Sequence, residues 1–134
     1  MKLLAVAVSA FALAGGSVGV QARSSQYGKV LFDQHGFVLY GFTADSRTAS
    51  RCYGACARAW PPLLVKGSAR ALHGVDRSKL GTVARRGGAK QVTYAGHPLY
   101  YYVGDTRAGR ILCQNVREYG GLWLVVAPSG KLVH

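Results

Sequence analysis

A nine-residue pattern that occurs twice constrains the fold of this chain more than any other feature. Residues 39–47 read LYGFTADSR and residues 99–107 read LYYYVGDTR. Continued backwards without a gap, the same register places Gly36 over Gly96 and Gly28 over Gly88. An internal repeat of this period indicates one supersecondary unit present in two copies, each of which needs its neighbour to close a hydrophobic core.

The apolar pattern around each copy is typical of β-strands. A Gly-containing turn joins residues 29–32 to 37–42 in a predicted hairpin, and Ala-Gly joins 91–94 to 97–103 in its counterpart. Further patterns predict a helical turn or two within 52–60, apolar runs at 60–65 and 122–126, and strands at 80–84 and 131–133. We therefore predict an all-β, antiparallel domain built from two pseudo-symmetric repeats, at about 26–65 and 88–127.

The first residues have the organisation of a secretory signal peptide. A basic start is followed by an apolar run at 3–14, and the VQA sequence that ends at Ala22 suits signal peptidase. The run is shorter than the roughly 20 residues that span a bilayer. We predict a signal peptide at residues 1–22 and a single domain at 23–134, with an uncleaved anchor as the alternative. No cysteine precedes Cys52, so there is no lipobox. We expect a periplasmic or secreted protein without a transmembrane segment in the mature chain.

The chain is strongly basic, with 17 Lys and Arg against 5 Asp and Glu and a net charge of +12. The basic residues are spread along the chain, and only Arg85-Arg86 are adjacent. Nucleic-acid surfaces usually concentrate such residues on one face or helix. We therefore expect no nucleic-acid partner. The charge favours attraction to an anionic surface or to an unidentified envelope protein.

The repeated motif places two aromatic residues on one face of a strand and an aspartate just past its end. There a carboxylate can accept backbone N–H groups and organise a turn, and a tyrosine hydroxyl can donate to it. We favour this structural interpretation; the alternative is a paired Asp/Tyr site across the pseudo-dyad that binds a cation or a small ligand. The motif residues are Tyr40, Phe42, Asp45, Tyr100, Tyr102 and Asp105.

Three cysteines occur in the chain: Cys52, Cys56 and Cys113. In an exported protein, Cys52 and Cys56 are predicted to form a disulfide, because a separation of four allows the bond where the segment turns. The alternative is a redox pair or half of a metal site, although no Cys-x-x-Cys motif is present. Cys113 is then left over, either buried as a small apolar residue or paired between chains.

Two histidines, His35 and His97, lie at predicted hairpin turns and are the weak candidates for a metal site. Such a pair can bind copper, zinc or haem iron, but isolated turn histidines are more often solvated. No nucleophile elbow and no phosphate-binding Gly loop is present. We therefore predict no catalytic residues, no cofactor and no enzyme activity, and keep a metal ion or haem as the open alternative.

Several spaced motifs resemble one family of bacterial secreted proteins. The tandem Tyr-x4-Asp pattern is joined by CYGACA at 52–57 running into WPPL at 60–63, and by QVTYAGHPLY at 91–100 with GGLWLVV at 120–126. Together they resemble the secreted repeats, often described as predicted lipoproteins, whose function is unknown. The resemblance covers nearly all of residues 26–131, and it implies an exported protein and this architecture but no reaction.

The sequence favours an exported, non-catalytic binding module for a ligand or partner in the bacterial envelope. The alternative function is a periplasmic metal-binding or redox protein that uses His35, His97 and Cys113.

Overall fold

The computed structural model describes residues 17–134, which form mainly short strands. The elements are β1 (Gly19–Ser25), β2 (Gly28–Asp33), β3 (Tyr40–Phe42), α1 (Ala55–Ala59), β4 (Leu64–Val65), β5 (Arg70–Ala71), a 3₁₀ turn (Arg77–Lys79), β6 (Leu80–Ala84), β7 (Lys90–Tyr94), β8 (His97–Pro98), β9 (Val116–Glu118) and β10 (Gly121–Val125). This confirms the predicted all-β class. The short helix lies within the segment predicted to contain a helical turn.

The strands form three small sheets. Their orders are β2-β1-β5, β3-β10-β9 and β4-β7-β6, with β8 paired to β7 as a hairpin. All pairings between these strands are antiparallel except the two-residue pairing of β1 with β5. The sheets are therefore antiparallel, as predicted, with one short parallel contact that the sequence did not indicate.

The two copies exchange strands. The last strand of the first copy, β4, pairs with β7 of the second, and the last strand of the second copy, β10, pairs with β3 of the first. Equivalent main-chain bonds extend both exchanges, from Leu31 N–H to the Val126 carbonyl (2.9 Å) and from Val92 N–H to the Leu63 carbonyl (2.8 Å). Each copy therefore lacks a sheet neighbour without the other.

These bonds also correct the predicted register of the repeat. Leu39 N–H donates to the Leu31 carbonyl, and Leu99 N–H donates to the Val92 carbonyl. Leu31 is thus equivalent to Val92, although the ungapped alignment places it over residue 91. The turn of the first copy is one residue longer than Ala95-Gly96, so the predicted match of Gly28 with Gly88 is wrong by one position.

Consecutive residues of the central strands face opposite sides, and both sides are buried. Val30 and Phe32 belong to one apolar cluster, while Leu31 belongs to another; Leu39 and Tyr40 are divided in the same way. Strands buried on both faces read as continuous apolar runs. This explains why the sequence around each motif shows little alternation of polar and apolar residues.

The second strand of each predicted hairpin is shorter than predicted. Between the first turn and β3, only Val38 bridges to Phe32, and after β8 only Tyr100 forms bridges, to Tyr40 and Pro62. The chain leaves its own hairpin at these points because the equivalent residues of the two copies pair with each other. The predicted terminal strand at 131–133 is likewise reduced to a bridge between Val126 and Leu132.

β1 crosses the position of the predicted signal-peptide cleavage. Residues 1–16 of the predicted signal peptide lie outside the described residues, and its last residues belong to this strand. Val20 and Ala22 are buried in the apolar cluster that contains Leu31, and Ala22 N–H donates to the His73 carbonyl at 2.8 Å. Cleavage after Ala22 stays a prediction, and it would remove these contacts. Between residues 17 and 134, no helix is long and apolar enough to cross a membrane.

Candidate functional site

The two motif tyrosines lie where the copies meet. Tyr40 N–H donates to the Tyr100 carbonyl at 2.8 Å, and Tyr100 N–H donates to the Tyr40 carbonyl at 2.9 Å. Both side chains are fully buried. Reciprocal bonds between equivalent residues are expected at a two-fold axis, so the pseudo-dyad of the repeat passes between these tyrosines.

Each tyrosine donates its hydroxyl to the aspartate of the other copy. The Tyr40 hydroxyl lies 2.7 Å from Asp105 Oδ2, and the Tyr100 hydroxyl lies 2.7 Å from Asp45 Oδ2. The second oxygen of each carboxylate accepts a main-chain N–H of its own loop: Asp45 Oδ1 from Arg51 at 2.7 Å, and Asp105 Oδ1 from Leu112 at 2.9 Å. Each carboxylate therefore closes one loop and joins it to the opposite copy.

Burial dominates the electrostatics of these pairs. Desolvation raises the pKa of Asp45 to about 6, although the Arg51 N–H, the Tyr100 hydroxyl and two nearby guanidinium groups lower it. Desolvation also raises the pKa of Asp105. The pKa of both Tyr40 and Tyr100 is raised by burial and by the adjoining carboxylates. The tyrosines are thus neutral hydrogen-bond donors at neutral pH.

The remaining motif aromatics belong to a stack of four rings, two from each copy. Phe42 lies on Trp123 with ring centroids 4.0 Å apart, Trp123 lies on Trp60 at 4.0 Å, and Tyr102 leans on Trp60 at 4.7 Å. Tyr40 and Tyr100 meet the indoles edge-on. Both tryptophans are fully buried, so the centre of the stack belongs to the hydrophobic core, and Tyr102 at its end is half-buried.

One glutamate anchors both indoles. The Trp60 Nε1–H donates to Glu118 Oε1 at 3.0 Å, and the Trp123 Nε1–H donates to the Glu118 carbonyl at 3.1 Å. Buried indole nitrogens need such partners. β9, a strand that the sequence did not predict, ends at this residue and positions it beside both indoles.

A buried guanidinium, that of Arg85, contacts the loop of the first copy, and the corresponding loop of the second copy has no such group. Arg85 is only 9% exposed, and it donates to Ser50 Oγ at 2.9 Å, to Gln91 Oε1 at 2.8 Å and to the Cys52 carbonyl at 2.6 Å. Ser50 Oγ in turn lies 2.6 Å from the Tyr100 hydroxyl. A continuous polar chain therefore runs from Arg85 through Ser50 and Tyr100 to Asp45.

Two of the cysteines form the predicted disulfide, and the third has a free thiol. Cys52 and Cys56 form a disulfide across the start of α1, with Cα atoms 5.2 Å apart, and both are buried in the aromatic cluster. Cys113 is free and half-buried. It lies against the Tyr102 hydroxyl, and burial raises the pKa of its thiol.

The two candidate histidines have different surroundings. His35 is exposed in the first turn, where its main-chain N–H donates to Asp33 Oδ1. His97 is half-buried, and desolvation and the Arg47 charge lower its pKa, partly offset by a hydrogen bond with the Gly130 backbone. Within residues 17–134, no group of three His, Cys, Asp or Glu side chains is arranged to hold a metal ion.

All five carboxylates of the chain are used inside the structure. Asp33 accepts from two N–H groups of its turn and from the Tyr101 hydroxyl, at 2.6 Å for the latter. Asp76 caps the 3₁₀ turn through Ser78 and forms the one ion pair found among the described residues, with Lys79 at 3.7 Å. Asp45, Asp105 and Glu118 are engaged as described above. The anionic groups thus organise loops, and the cationic groups are left to the surface.

The structure brings together all six predicted motif residues; four of them are buried, and Asp45 and Tyr102 are half-buried. Among the described residues, Cys113 has no disulfide partner and belongs to no group of three metal-binding side chains. The sequence did not indicate a role for four residues that lie outside the repeated nine-residue pattern: Arg85, Ser50, Gln91 and Glu118. Their only signal was asymmetry: Arg85 belongs to the one adjacent basic pair and has no counterpart in the other copy.

A comparison with known proteins supports the division of the chain into two copies. The model of a family described as a secreted repeat of unknown function matches residues 22–64 and 81–127. The two matched segments correspond to the two copies that share the tyrosine dyad. No curated protein and no solved structure matches the chain.

Proposed function

The chain belongs to the family of secreted repeats of unknown function, and from this premise we propose that it is a non-catalytic binding module of the bacterial envelope whose partner is anionic. The observation that carries the proposal is the use of all five carboxylates in internal hydrogen bonds. A module whose few acids are engaged by its own loops, and whose bases are mostly exposed and unpaired, presents a positive field to its surroundings.

The surface charge supports this directly. Lys2 is the only one of the 17 basic residues that precedes the described part of the chain. Of the other sixteen, Lys79 alone is in an ion pair within residues 17–134, and Arg85 is buried. The rest extend toward solvent or pack on aromatic rings, as Arg86 does on Tyr53 at 3.7 Å. Such a field raises the association rate with anionic partners at low salt.

The motif supports a scaffold role in place of a reaction. Tyr40 and Asp105, and likewise Tyr100 and Asp45, satisfy each other inside the core, so neither pair has a free acid or base directed at a cleft. A non-catalytic role is therefore the function that best fits the paired tyrosines and aspartates.

The test is binding of the purified protein to envelope vesicles from its own cells over a salt series. We expect saturable binding that weakens steadily between about 0.05 and 0.5 M salt, because the Debye length falls from about 14 to about 4 Å over that range. Binding that is absent at low salt, or indifferent to salt, would overturn the proposal.

A matched pair of variants separates charge from shape. Four exposed basic residues are replaced together by Gln in one variant, and exchanged between Lys and Arg in the other: Lys29, Arg107, Arg117 and Lys131. We expect the Gln variant to bind about tenfold more weakly and the exchanged variant to bind as the native protein does. Equal binding by both variants would contradict an electrostatic partner.

Export and the metal alternative are tested on protein purified from its native envelope. The predicted cleavage implies an intact mass equal to that of a chain that begins at Arg23. The disulfide implies that alkylation before reduction modifies one thiol. Stoichiometric metal in elemental analysis, or a haem absorption band, would instead support the metal or redox function proposed for His35, His97 and Cys113.

A further inference from the structure

A cleft lies between β5 and β6, away from the tyrosine dyad. Its volume is about 610 Å³, within the range of about 300–1,000 Å³ typical of ligand sites. One wall is the segment 67–72, and the other is formed by Arg77 and residues 80–82. None of the motif residues lines it.

The wall formed by β6 is an open sheet edge. The bonds from Ala95 N–H to the Lys79 carbonyl and from Arg85 N–H to the Ala89 carbonyl fix the ladder between β6 and β7. By antiparallel alternation, the main-chain groups of Gly81 and Val83 face β7, and those of Thr82 and Ala84 face away from it. No group within residues 17–134 forms a hydrogen bond with the N–H or C=O of Thr82.

This edge has none of the usual protection. Exposed edges normally carry charged residues, proline or a bulge that prevents pairing with another chain. β6 reads LGTVA, with five residues in regular register against β7. By contrast, the edge strand β9 reads VRE and carries two charged residues. The outer edge of β2 is covered, because Leu31 accepts from the Leu39 N–H and donates to the Val126 carbonyl. β6 is therefore the edge best suited to accept a strand.

Two arginines give the cleft a charge preference. Arg70 and Arg77 line it from opposite walls. The Arg70 Nε–H donates to Ser17 Oγ at 3.0 Å, and no acceptor among the described residues engages its terminal nitrogens or the Arg77 guanidinium. No carboxylate lines the cleft. Guanidinium groups with free donors are suited to bidentate contact with carboxylates.

We propose that the cleft binds an extended acidic peptide segment of the partner, which adds a strand to the free edge of β6 and places its carboxylates on Arg70 and Arg77. β6 is about 17 Å long at the usual rise per residue, so it pairs with about five residues. Strand addition obtains affinity from main-chain bonds and specificity from alternate side chains. This rests on the proposed function and names the chemistry of its partner.

Charge also argues against a second copy of this chain as the occupant. Two copies joined edge to edge at β6 would bring both pairs of arginines together, and each copy carries a large excess of positive charge. Like charges at an interface oppose association. An acidic segment removes that cost.

The probe is a fluorescent, blocked pentapeptide, Glu-Val-Glu-Val-Glu, titrated by anisotropy against the full protein at about 0.05 M salt. Lys-Val-Lys-Val-Lys is the charge-reversed control. Two isomers of the acidic peptide, N-methylated on alternate amides, test the main-chain bonds. We expect the Lys peptide not to bind, and one methylated isomer to bind at least about tenfold more weakly than the other, because only one set of amides faces β6.

Protein variants test the two walls separately. Thr82→Pro removes the outward N–H and leaves the bonds to β7 intact, since proline is tolerated where a strand N–H faces solvent; Thr82→Val is its control. Arg70→Gln/Arg77→Gln removes the charge, with Arg47→Gln/Arg58→Gln, at two exposed arginines outside the cleft, as a matched loss of charge. We expect at least tenfold weaker binding for Thr82→Pro and for the arginine pair, and less than about threefold change for both controls. Circular dichroism verifies the fold of each variant.

The outcomes distinguish this inference from the proposed function. If the acidic peptide binds Thr82→Pro and the arginine pair as tightly as the native protein, strand addition is overturned, while salt-dependent envelope binding still supports an anionic partner. If neither the peptide nor the envelope binds, both fail. Self-association that Thr82→Pro abolishes would assign the edge to a second copy and overturn the peptide.

Discussion

In the first copy, the loop that follows the Tyr–Asp motif is held by a buried guanidinium and a disulfide, whereas the corresponding loop of the second copy has neither. Asp45 and Asp105 make the same two contacts, to a main-chain N–H and to the tyrosine across the dyad. Around Asp45, however, Arg85 and Ser50 extend the network. Around Asp105, the chain offers a free thiol and the exposed side chains of Val103 and Leu112.

The comparison shows which features belong to the duplicated fold and which were added to one copy. The tyrosine–aspartate contacts and the strand exchange occur in both, so they maintain the joint between the copies. The Arg85 network and the disulfide occur in one, so they stabilise a particular loop. We expect changes to the shared features to affect both copies, and changes to the Arg85 network or the disulfide to affect one loop.

The shared aromatic stack gives the largest predicted effect. Trp60→Ala and Trp123→Ala should each lower the free energy of unfolding by about 3–5 kcal/mol, because each leaves a cavity at the point where both copies meet. Since the rings touch at 4.0 Å, the double variant should lose less than the sum of the two. Urea denaturation followed by circular dichroism measures this. Strictly additive losses would show that the copies have separate cores.

The Arg85 network gives the next effect, and we expect it to be confined to the loop that follows the first motif. Arg85→Met keeps most of the apolar stem but leaves Gln91 Oε1 and the Cys52 carbonyl without their donor, which costs about 2–4 kcal/mol. Arg86→Met, on the neighbouring exposed residue, is the control and should change stability by less than about 0.5 kcal/mol. Hydrogen exchange should increase around residues 45–56 and stay unchanged around 105–113. An equal increase in both loops would mean that Arg85 supports the whole domain.

The two tyrosine hydroxyls allow a direct test of the dyad. Tyr100→Phe removes a donor from Asp45 and a partner from Ser50, and Tyr40→Phe removes a donor from Asp105, so losses of about 1–3 kcal/mol are expected, with Tyr100→Phe the larger. Chemical denaturation of both variants gives the comparison. If Tyr40→Phe cost more, the second loop would depend on its carboxylate more than the first.

Repetition made the architecture predictable, because the duplicated pattern and the Gly-containing turns follow local rules. The strand at 80–84 was predicted with the bounds that the structure gives it. Strand exchange was not predictable, because a strand signal contains no information about its partner. The residues that distinguish the copies were also not predicted. Arg85 bonds to a residue 33 positions away and Glu118 to one 58 positions away, and local sequence patterns do not predict contacts at such separations.

The smallest effect compares the two carboxylates through pH. Burial raises the pKa of Asp45 from 3.8 in the unfolded chain to about 6 in the folded protein, so between these values the folded protein binds more protons. The free energy of unfolding should therefore fall as pH rises from about 4 to about 6. After allowance for the partial exposure of Asp45, its share is about 1–2 kcal/mol.

Asp45→Asn should flatten this slope, because the amide does not titrate. The pKa of Asp105 is raised in the same sense, so Asp105→Asn tests whether the second loop shares the behaviour. Asp76, whose pKa is lowered, contributes a slope of the opposite sign in both variants and cancels from the comparison. Urea midpoints at about pH 4.5 and pH 7 suffice. If Asp105→Asn alone flattens the dependence of the free energy of unfolding on pH, the polar network around Asp45 compensates for its burial, and Asp105 has the more strongly raised pKa.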